Sequence, residues 1–573
     1  MEERLEEERT GLVLLLAGGI FACTWVIWAA GEAAAVLFRG EVTGAGWKDT
    51  LAVGPGLVSH WEDPALAWPA GAREALPGPV ALWSVLILFF VVAAGVGGAA
   101  VSLARSVGFF PRDGKVPGDV AWAVPRDLVR LRVSRPQPDR VSLGTIPAVR
   151  NRILAAEKNR GVCVIGAPRS GKSYRVVRPA ALERDAGSVV ITSVRADILD
   201  ATYDVRKTRG NVHVFDPAGC TGRTQSRWSP ITGCADWETA LDMATWLTNT
   251  PAARSGQDGE GGFWEVSAAD ILAPLLYLAD VHAAYLASTP AGGGVPRLLQ
   301  WLLGFAAKGE IRKSIEERML ATDDVYAETV ADTLLYLWGQ DERLLSNVLA
   351  TARGALSAYR KPSVQKSADM TGGPVIDPEK LLKEQETLYV VSDAIQQTVL
   401  TPVFTALVQS VIREAYRQAL QHASGALPHG LLLLLDEAAN IAPIPGLPTI
   451  ASTAAGHNIT LVTVYQDLSQ IQQRYGEYQA RTLLNNHEAL MLLPGNADSR
   501  TLETFSRLMG DTKVARASHS YSKREGLFST PQRSKHINME HRRLASPEFL
   551  RTLPPGTAVV IYRGLPPARV QLR

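Results

Sequence analysis

Two long apolar segments lie near the amino-terminal end of the chain. Residues 11–37 and 80–104 are almost entirely apolar, and each is long enough to cross a hydrocarbon core of roughly 30 Å as a helix. The pattern therefore predicts two transmembrane helices. Glu32, near the end of the first segment, is expected either at the membrane interface or facing the second helix.

The charges on either side of these segments predict their orientation. Residues 39–78 carry three basic and five acidic side chains, whereas residues 105–152 carry ten basic and four acidic ones. Loops rich in Lys and Arg stay on the cytoplasmic side of a membrane. We therefore expect a membrane anchor over residues 1–105, with a short outer loop and a cytoplasmic carboxy-terminal part. Residues 106–155 are rich in Pro and Arg and lack a sustained period, which predicts a linker.

Beyond the linker the pattern changes to short apolar runs separated by longer amphipathic segments. The runs at 161–165, 431–435 and 459–465 suit strands that are buried on both faces of a parallel sheet. Segments with apolar residues three and four positions apart suit helices and occupy 296–320, 325–338 and 343–359, together with a stripe of Trp264, Ala268, Ile271, Leu275 and Leu278. This alternation predicts an α/β fold.

A glycine-rich motif follows the first of these strands. Residues 166–173 read GAPRSGKS, which fills every fixed position of G-x-x-x-x-G-K-S between a strand and a helix. In such a loop successive backbone N–H groups point at phosphate, and the helix adds its positive end. Lys172 is expected on the β- and γ-phosphates of ATP and Ser173 on Mg²⁺. The predicted nucleotide-binding residues are Gly166, Ala167, Pro168, Arg169, Ser170, Gly171, Lys172 and Ser173.

Polar residues follow the other two predicted strands. Asp436 and Glu437 come directly after 431–435, so they are expected at the carboxyl end of a buried strand. Asp436 would hold Mg²⁺, and Glu437 would polarise the attacking water. Gln466 follows 459–465 and is the candidate that contacts the γ-phosphate or its water. Lys172, Glu437 and Gln466 are thus the predicted catalytic residues of a P-loop ATPase.

The spacing of the two motifs predicts an inserted region. About 270 positions separate Gly166 from Asp436, more than a compact α/β core needs. Most of the predicted helices fall in this interval. We therefore predict an all-helical insert over 236–361 in a nucleotide-binding domain that consists of 156–235 and 362–573.

Composition and charge exclude only a few classes of protein. The net charge is +2, from 59 basic and 57 acidic residues, so any basic surface for nucleic acid must be local. The four cysteines, Cys23, Cys163, Cys220 and Cys234, are scattered, which argues against a disulfide framework or a zinc site.

Taken in order, these motifs resemble the coupling-protein family of type IV secretion and conjugation, the TraD/TraG group. The resemblance extends over nearly the entire chain. The segments that carry it are the two apolar spans, GAPRSGKS, VHVFDP at 212–217, WSP at 228–230, FW at 263–264, LLLLLDEAANIAPIPGLP from 431, QDLSQ at 466–470 with YG at 475–476, and RRLASPEFLRTLPPG from 542.

The resemblance implies a RecA-like ATPase that spans the bacterial inner membrane twice and assembles as a homohexamer. It further implies that the protein passes single-stranded, relaxase-bound DNA, or protein substrates, to the components of a type IV secretion channel. The helical insert would receive the relaxase or relaxosome. Residues 193–197, SVRAD, stand where many relatives have a Lys-Gly pair, which leaves the role of Arg195 open.

Three other functions stay open at this point. The chain could be another membrane-anchored DNA translocase, a nucleotide-binding docking receptor without motor activity, or a coupling protein for protein effectors alone. Ring ATPases complete each site with an arginine from the neighbouring subunit, and Arg481 and Arg500 are both candidates. Residues 512–543 carry eight Lys or Arg against two acids, which suits either nucleic-acid contact or a solvated loop.

Overall fold

The computed structural model describes residues 2–46, 52–107, 120–146, 152–249, 262–285, 294–305, 309, 311–313, 325–522 and 532–573. The chain forms two compact units, Met1–Gly118 and Asp119–Arg573.

The amino-terminal unit is helical, with α1 (Glu2–Arg39), α2 (Val53–Ser59) and α3 (Pro79–Val107). By length and composition, Phe21–Arg39 and Pro79–Val96 could each cross a membrane, with mean hydropathies of 1.6 and 2.5. The helices α1 and α3 extend past both ends of the predicted spans, 11–37 and 80–104.

Small and branched side chains hold the helices of this unit together. Ala30 and Ala34 of α1 and Leu82 and Leu86 of α3 are buried in one cluster, and the small alanines allow the helices to approach closely. The Glu32 carboxylate accepts hydrogen bonds from the backbone N–H and the hydroxyl of Thr43. Its hydrogen-bonding partner is therefore the segment that follows α1.

A large mixed sheet forms the centre of the second unit. Its strands are β1 (Arg132–Val133), β2 (Ser142–Thr145), β3 (Ile153–Ala155), β4 (Val162–Ile165), β5 (Ser188–Ser193), β6 (Val212–Phe215), β7 (Thr387–Val391), β8 (Leu431–Leu435), β9 (Ile459–Tyr465), β10 (Ala489–Leu492), β13 (Thr557–Tyr562) and β14 (Ala568–Gln571), while β11 (Asp511–Ser522) and β12 (Gln532–Arg543) form a separate hairpin. The order of the twelve strands is β1-β3-β2-β14-β13-β10-β4-β9-β8-β5-β7-β6.

The strands from β10 to β6 run parallel to one another. Within this part β9 pairs with β4 on one side and with β8 on the other. The carboxyl ends of parallel strands meet at one edge of a sheet. The segments that follow β4, β8 and β9 are therefore neighbours, although they are far apart in sequence.

The linker predicted over 106–155 is wrong for the part of it that the structure describes. β3 pairs antiparallel with β1 on one side and with β2 on the other, and all three strands belong to the main sheet. These strands are too short to give a period, and β2 pairs with β14, where Thr145 lies opposite Gln571. The pairing partner comes from the far end of the chain, so local sequence does not reveal it.

The central strand β8 is buried on both faces, as its five leucines predict. None of them is more than 3% exposed. Leu431, Leu433 and Leu435 belong to the core on one face of the sheet, and Leu432 and Leu434 belong to the core on the other. A central strand covered on both sides holds the residues after it in a defined position.

The second unit also contains fourteen α-helices among its described residues. They are α4 (Arg178–Glu183), α5 (Asp197–Lys207), α6 (Trp237–Thr248), α7 (Phe263–Tyr285), α8 (Val295–Leu303), α9 (Ala327–Trp338), α10 (Glu342–Ala355), α11 (Pro362–Ser367), α12 (Pro378–Lys383), α13 (Gln397–Gln421), α14 (Leu447–Thr453), α15 (Leu468–Asn486), α16 (Ser499–Met509) and α17 (Pro547–Arg551).

The region between β6 and β7 contains helices α6 to α12 and extends beyond residue 361, the predicted end of the insert. Ala268, Ile271, Leu275 and Leu278 on α7 are at most 2% exposed and belong to the same core cluster as one face of the sheet. Helix α7 is thus part of the packing of the second unit. Most of the predicted helix 296–320 beyond residue 305 lies outside the described residues.

The basic segment 512–543 forms most of the β11–β12 hairpin. Its strands pair antiparallel from Asp511 opposite Arg543 to Ser522 opposite Gln532. At its base the N–H of Val120 donates a 3.2 Å hydrogen bond to the Asp511 carbonyl. Contact of this segment with nucleic acid stays a prediction.

Candidate nucleotide-binding site

The glycine-rich loop begins where β4 ends, and close packing fixes its start. The N–H of Gly166 donates a 3.1 Å hydrogen bond to the carbonyl of Tyr465 on β9. A Cβ atom at Gly166 would lie 2.6 Å from Ser170 Oγ and 2.8 Å from Leu493 Cβ. Only glycine fits this position, as the motif requires.

The loop then curls through two left-handed positions. Arg169 has a φ of 63° and Gly171 a φ of 96°. Such alternation is typical of loops whose N–H groups converge on an anion. Pro168 and Arg169 are exposed at the tip of the loop, whereas Ala167 is partly covered.

Lys172 lies inside this loop. Its side chain is buried, and Nζ donates hydrogen bonds of 2.7 Å to the Gly166 carbonyl and 3.2 Å to the Ala167 carbonyl. Burial lowers the pKa of this amine, while the nearby Glu437 and Asp436 carboxylates raise it. The loop thus keeps the lysine amine beside the backbone groups that would surround phosphate.

Ser173 connects the loop to the acidic strand end. Its hydroxyl donates a 2.7 Å hydrogen bond to Asp436 Oδ2. The backbone carbonyl of Asp436 accepts a 2.9 Å hydrogen bond from Thr192 Oγ1 on β5. Asp436 is only 2% exposed, and burial raises its pKa to about 6, against the lowering effect of the Ser173 hydrogen bond.

The side chains present at this point fit a magnesium ion. A serine hydroxyl and a carboxylate are hard oxygen donors of the kind that Mg²⁺ binds. Asp436 Oδ1 and Ser170 Oγ are buried and have no hydrogen-bond partner among the described residues. Buried polar atoms normally have partners, so these two oxygens suit a site that is completed by bound Mg²⁺ and phosphate.

Glu437 and Gln466 are hydrogen-bonded to each other, as expected for residues that follow neighbouring strands. Gln466 Nε2 donates to the two carboxylate oxygens of Glu437 at 3.2 Å and 3.4 Å. Asn440 Nδ2 donates to Glu437 Oε2 at 3.3 Å. Glu437 has a φ of 53°, a strained conformation for a non-glycine residue that is often found at functional sites.

Sequence reasoning missed three residues that support this arrangement. Thr192 fixes the Asp436 backbone, Asn440 binds the Glu437 carboxylate, and Asn496 Nδ2 donates a 2.9 Å hydrogen bond to the Gln466 carbonyl. Asn440 could have been found from its position three residues after the acid. The other two are found only from the order of the strands in the sheet.

The candidate arginines Arg481 and Arg500 line a groove that the glycine-rich loop and the acidic strand end do not line. This groove of about 750 Å³ lies between α15, α16 and α17, and Arg481 pairs with Glu477 at 2.5 Å. Arg195 is engaged through its backbone, because its carbonyl accepts a 2.8 Å hydrogen bond from Ser193 Oγ. A role for any of these arginines in catalysis stays a prediction.

Comparisons with solved structures support the fold. The unbound form of the bacterial conjugative coupling protein TrwBdeltaN70 matches with a TM-score of 0.56 and 19% identity, over 80% of this chain and 93% of that one. The coupling protein TrwB in complex with ADP and Mg²⁺ matches with a TM-score of 0.55 and 18% identity, over 80% of this chain and 96% of that one. The predicted RecA-like α/β fold is thereby confirmed.

Sequence comparisons identify relatives in conjugation. The conjugal transfer protein TraG of Escherichia coli is 23% identical over 411 residues, which is 67% of this chain and 60% of that protein. The conjugal transfer protein TraG of Rhizobium radiobacter is 22% identical over 402 residues, which is 70% of this chain and 59% of that protein. The matched region thus spans about 60% of the length of these curated relatives.

The family model for type IV secretory system conjugative DNA transfer matches residues 123–572, nearly all of the second unit. This match confirms the resemblance to coupling proteins. Together with the two candidate membrane-spanning helices it indicates association with a membrane. On this evidence the chain belongs to the family of type IV secretory system conjugative DNA transfer proteins.

Proposed function

We propose that the protein hydrolyses ATP in the presence of Mg²⁺. The observation that carries this proposal is the hydrogen bond from Ser173 to Asp436, which brings the glycine-rich loop and the acidic strand end into one site. The nucleotide complexes of TrwB, with ADP and Mg²⁺ and with a non-hydrolysable ATP analogue, support nucleotide binding by this fold.

Each group of the site has a separate role in binding Mg-ATP. The N–H groups of the loop would surround the phosphates, and Lys172 would neutralise charge on the β- and γ-phosphates. Ser173 and Asp436 would hold Mg²⁺. Bound Mg²⁺ supplies charge stabilisation for the phosphoryl group that is transferred. Asp436 must be ionised to bind Mg²⁺. Because the pKa of this carboxyl is raised, Mg²⁺ binding should weaken at low pH.

Glu437 is proposed as the residue that acts on water. Its carboxylate is within hydrogen-bond distance of Gln466 and Asn440, so both amides orient it. A carboxylate held in this way can accept a proton from the attacking water. Gln466 would contact the same water or the γ-phosphate and so sense whether ATP is intact.

We further propose a coupling role for this ATPase. The protein would span the bacterial inner membrane twice, with its second unit in the cytoplasm, and would assemble as a homohexamer. It would transfer relaxase-bound, single-stranded DNA into a type IV secretion channel. The names of its relatives, conjugal transfer protein and conjugative coupling protein, support a role in conjugation. The helical region after β6 is the proposed docking site for the relaxase or relaxosome, or for protein substrates.

ATP turnover of the full-length protein in lipid nanodiscs tests this proposal. The rate is measured without DNA, with single-stranded DNA and with double-stranded DNA, and Glu437→Gln serves as the matched variant. Turnover that single-stranded DNA stimulates and that the substitution abolishes supports the proposed motor. Tight nucleotide binding without turnover under every condition would instead support a docking receptor without motor activity.

A further inference from the structure

The helix that follows the glycine-rich loop begins in an unusual way. Ser173–Val177 forms a π-helical turn, and the N–H of Arg178 donates to the Ser173 carbonyl. Such turns are rare and are frequent at functional sites. Here the turn begins at Ser173, the residue proposed to bind Mg²⁺, and directly follows Lys172.

Tyr174 lies on this turn and faces solvent. The residue is 64% exposed, although it is next to the partly buried Ser173. A large aromatic side chain gains nothing in folding stability from such exposure. Its position beside the loop therefore requires an explanation other than packing.

Arg178 covers one face of the Tyr174 ring. The centre of its guanidinium lies 4.7 Å from the ring centroid, within the range of a cation–π contact. The pair thus presents one exposed aromatic face, with the guanidinium on the other face of the ring.

The direction of a bound nucleotide follows from the loop. Lys172 marks the β- and γ-phosphate positions, and the α-phosphate lies at the helix amino terminus. The nucleoside is attached to the α-phosphate and therefore lies near the first turn of the helix, where Tyr174 directly follows Ser173 and Arg178 lies one turn further on. The neighbouring Arg175 is already engaged, because its Nη1 donates to the Leu572 carbonyl at 3.4 Å.

We propose that Tyr174 and Arg178 form a shelf for the nucleoside of the bound nucleotide. The base stacks on the free face of the Tyr174 ring, and the Arg178 guanidinium holds the ring in place from the other face. This inference rests on the proposed nucleotide binding at the loop and adds the residues that determine base preference.

The kind of contact determines the specificity. Every base has a π-face, so stacking does not depend on base-edge hydrogen bonds. The shelf therefore favours the larger purines over pyrimidines and separates adenine from guanine only weakly. The order of affinity expected for the full-length protein is ATP close to GTP, followed by CTP.

Calorimetric titration of the full-length protein with Mg-ATP, Mg-GTP, Mg-CTP and Mg-tripolyphosphate tests the shelf. Tripolyphosphate has the phosphates but no nucleoside. Tyr174→Ala is expected to raise the Kd for ATP at least about fivefold and to change the Kd for tripolyphosphate less than about twofold. Tyr174→Phe keeps the ring and should bind ATP like the natural protein. Arg178→Met should weaken ATP binding but not tripolyphosphate binding.

Tyr203→Ala is the matched control, because Tyr203 also lies under an arginine, Arg223, at 4.2 Å. Arg223 follows β6, an edge strand that lies five positions from β4 in the sheet, so this variant should bind all four ligands normally. An unchanged ATP Kd in Tyr174→Ala, or an equal loss of ATP and tripolyphosphate, would overturn the shelf. If the natural protein binds neither ligand, the proposed nucleotide binding itself fails.

Discussion

The Ser173 hydroxyl donates a 2.7 Å hydrogen bond to the Asp436 carboxylate and so joins two motifs that are 263 positions apart in the chain. Neither residue forms a site alone. Their contact depends on the sheet, in which β9 separates the strands that carry them. The predictions below concern the residues gathered around this contact.

Replacement of Lys172 should abolish turnover. Lys172→Ala removes the buried positive charge of the loop, so ATP turnover should fall roughly 100-fold or more. Steady-state phosphate release by the full-length protein measures this effect. Lys383→Ala, which removes an exposed lysine of α12 outside the loop, is the matched control. Turnover near the natural level in Lys172→Ala would contradict the assigned role.

Replacement of Glu437 should lower ATP turnover more than replacement of its amide partners, Gln466 and Asn440. Glu437→Gln should keep nucleotide affinity and lower turnover by about 100-fold or more, because the proton acceptor is lost. Gln466→Ala and Asn440→Ala leave the acid in place, so their losses of kcat should be smaller. Single-turnover kinetics separate binding from hydrolysis. A larger loss in Asn440→Ala than in Glu437→Gln would show that the acid is not the base.

Magnesium binding should depend on pH through Asp436. Its pKa is raised to about 6, so the metal-free folded protein takes up a proton as the pH falls through 6. Mg²⁺ needs the ionised carboxylate, and its affinity should therefore fall below about pH 6, by up to about tenfold for each pH unit. Metal titrations between pH 5 and 8 measure this change.

The raised pKa of Asp436 also makes the stability of the fold depend on pH, in the opposite direction to the Mg²⁺ affinity. The folded state binds the Asp436 proton more tightly than the unfolded state, so burial of this group costs least at low pH. Between pH 4 and 6 its contribution to the free energy of unfolding falls as pH rises. Asp436→Asn cannot titrate and should lose both dependences. Magnesium affinity in the natural protein that is flat from pH 5 to 7 would contradict this assignment.

Substrate docking can be tested on the surface of α9. Leu335 and Tyr336 are 61% and 70% exposed there, and exposed apolar and aromatic side chains are frequent at protein interfaces. Replacing both with serine should reduce capture of the cognate relaxase-DNA complex and leave ATP turnover within about twofold. Deletion of 236–361 is a poorer test, because α7 contributes to the core shared with the sheet.

Tyr478→Ser provides the control for docking, since Tyr478 is 85% exposed on α15, outside the helical region. Normal capture by the double variant would exclude this face of α9 as the docking site. Loss of both capture and turnover would indicate misfolding, which circular dichroism would detect.

Much of the site could be predicted because its motifs are contiguous in sequence. GAPRSGKS contains its own turn and charge, and five leucines before Asp436 and Glu437 indicate a buried strand with acids at its end. Thr192 and Asn496 could not be assigned, because their contacts depend on which strands are neighbours. The strands β1 to β3 were missed for the same reason, since β2 pairs with the distant β14.

The position of β9 has a consequence for how the protein is made. β9 is synthesised after both β4 and β8 and yet must insert between them. Pairings between segments far apart in sequence form slowly. A nascent chain that has completed the glycine-rich loop still lacks β9, the strand that pairs with β4. The amino-terminal helices and most of the helical region leave the ribosome before a nucleotide can bind. The edge of the sheet that carries the glycine-rich loop therefore cannot be complete until β9 has been synthesised.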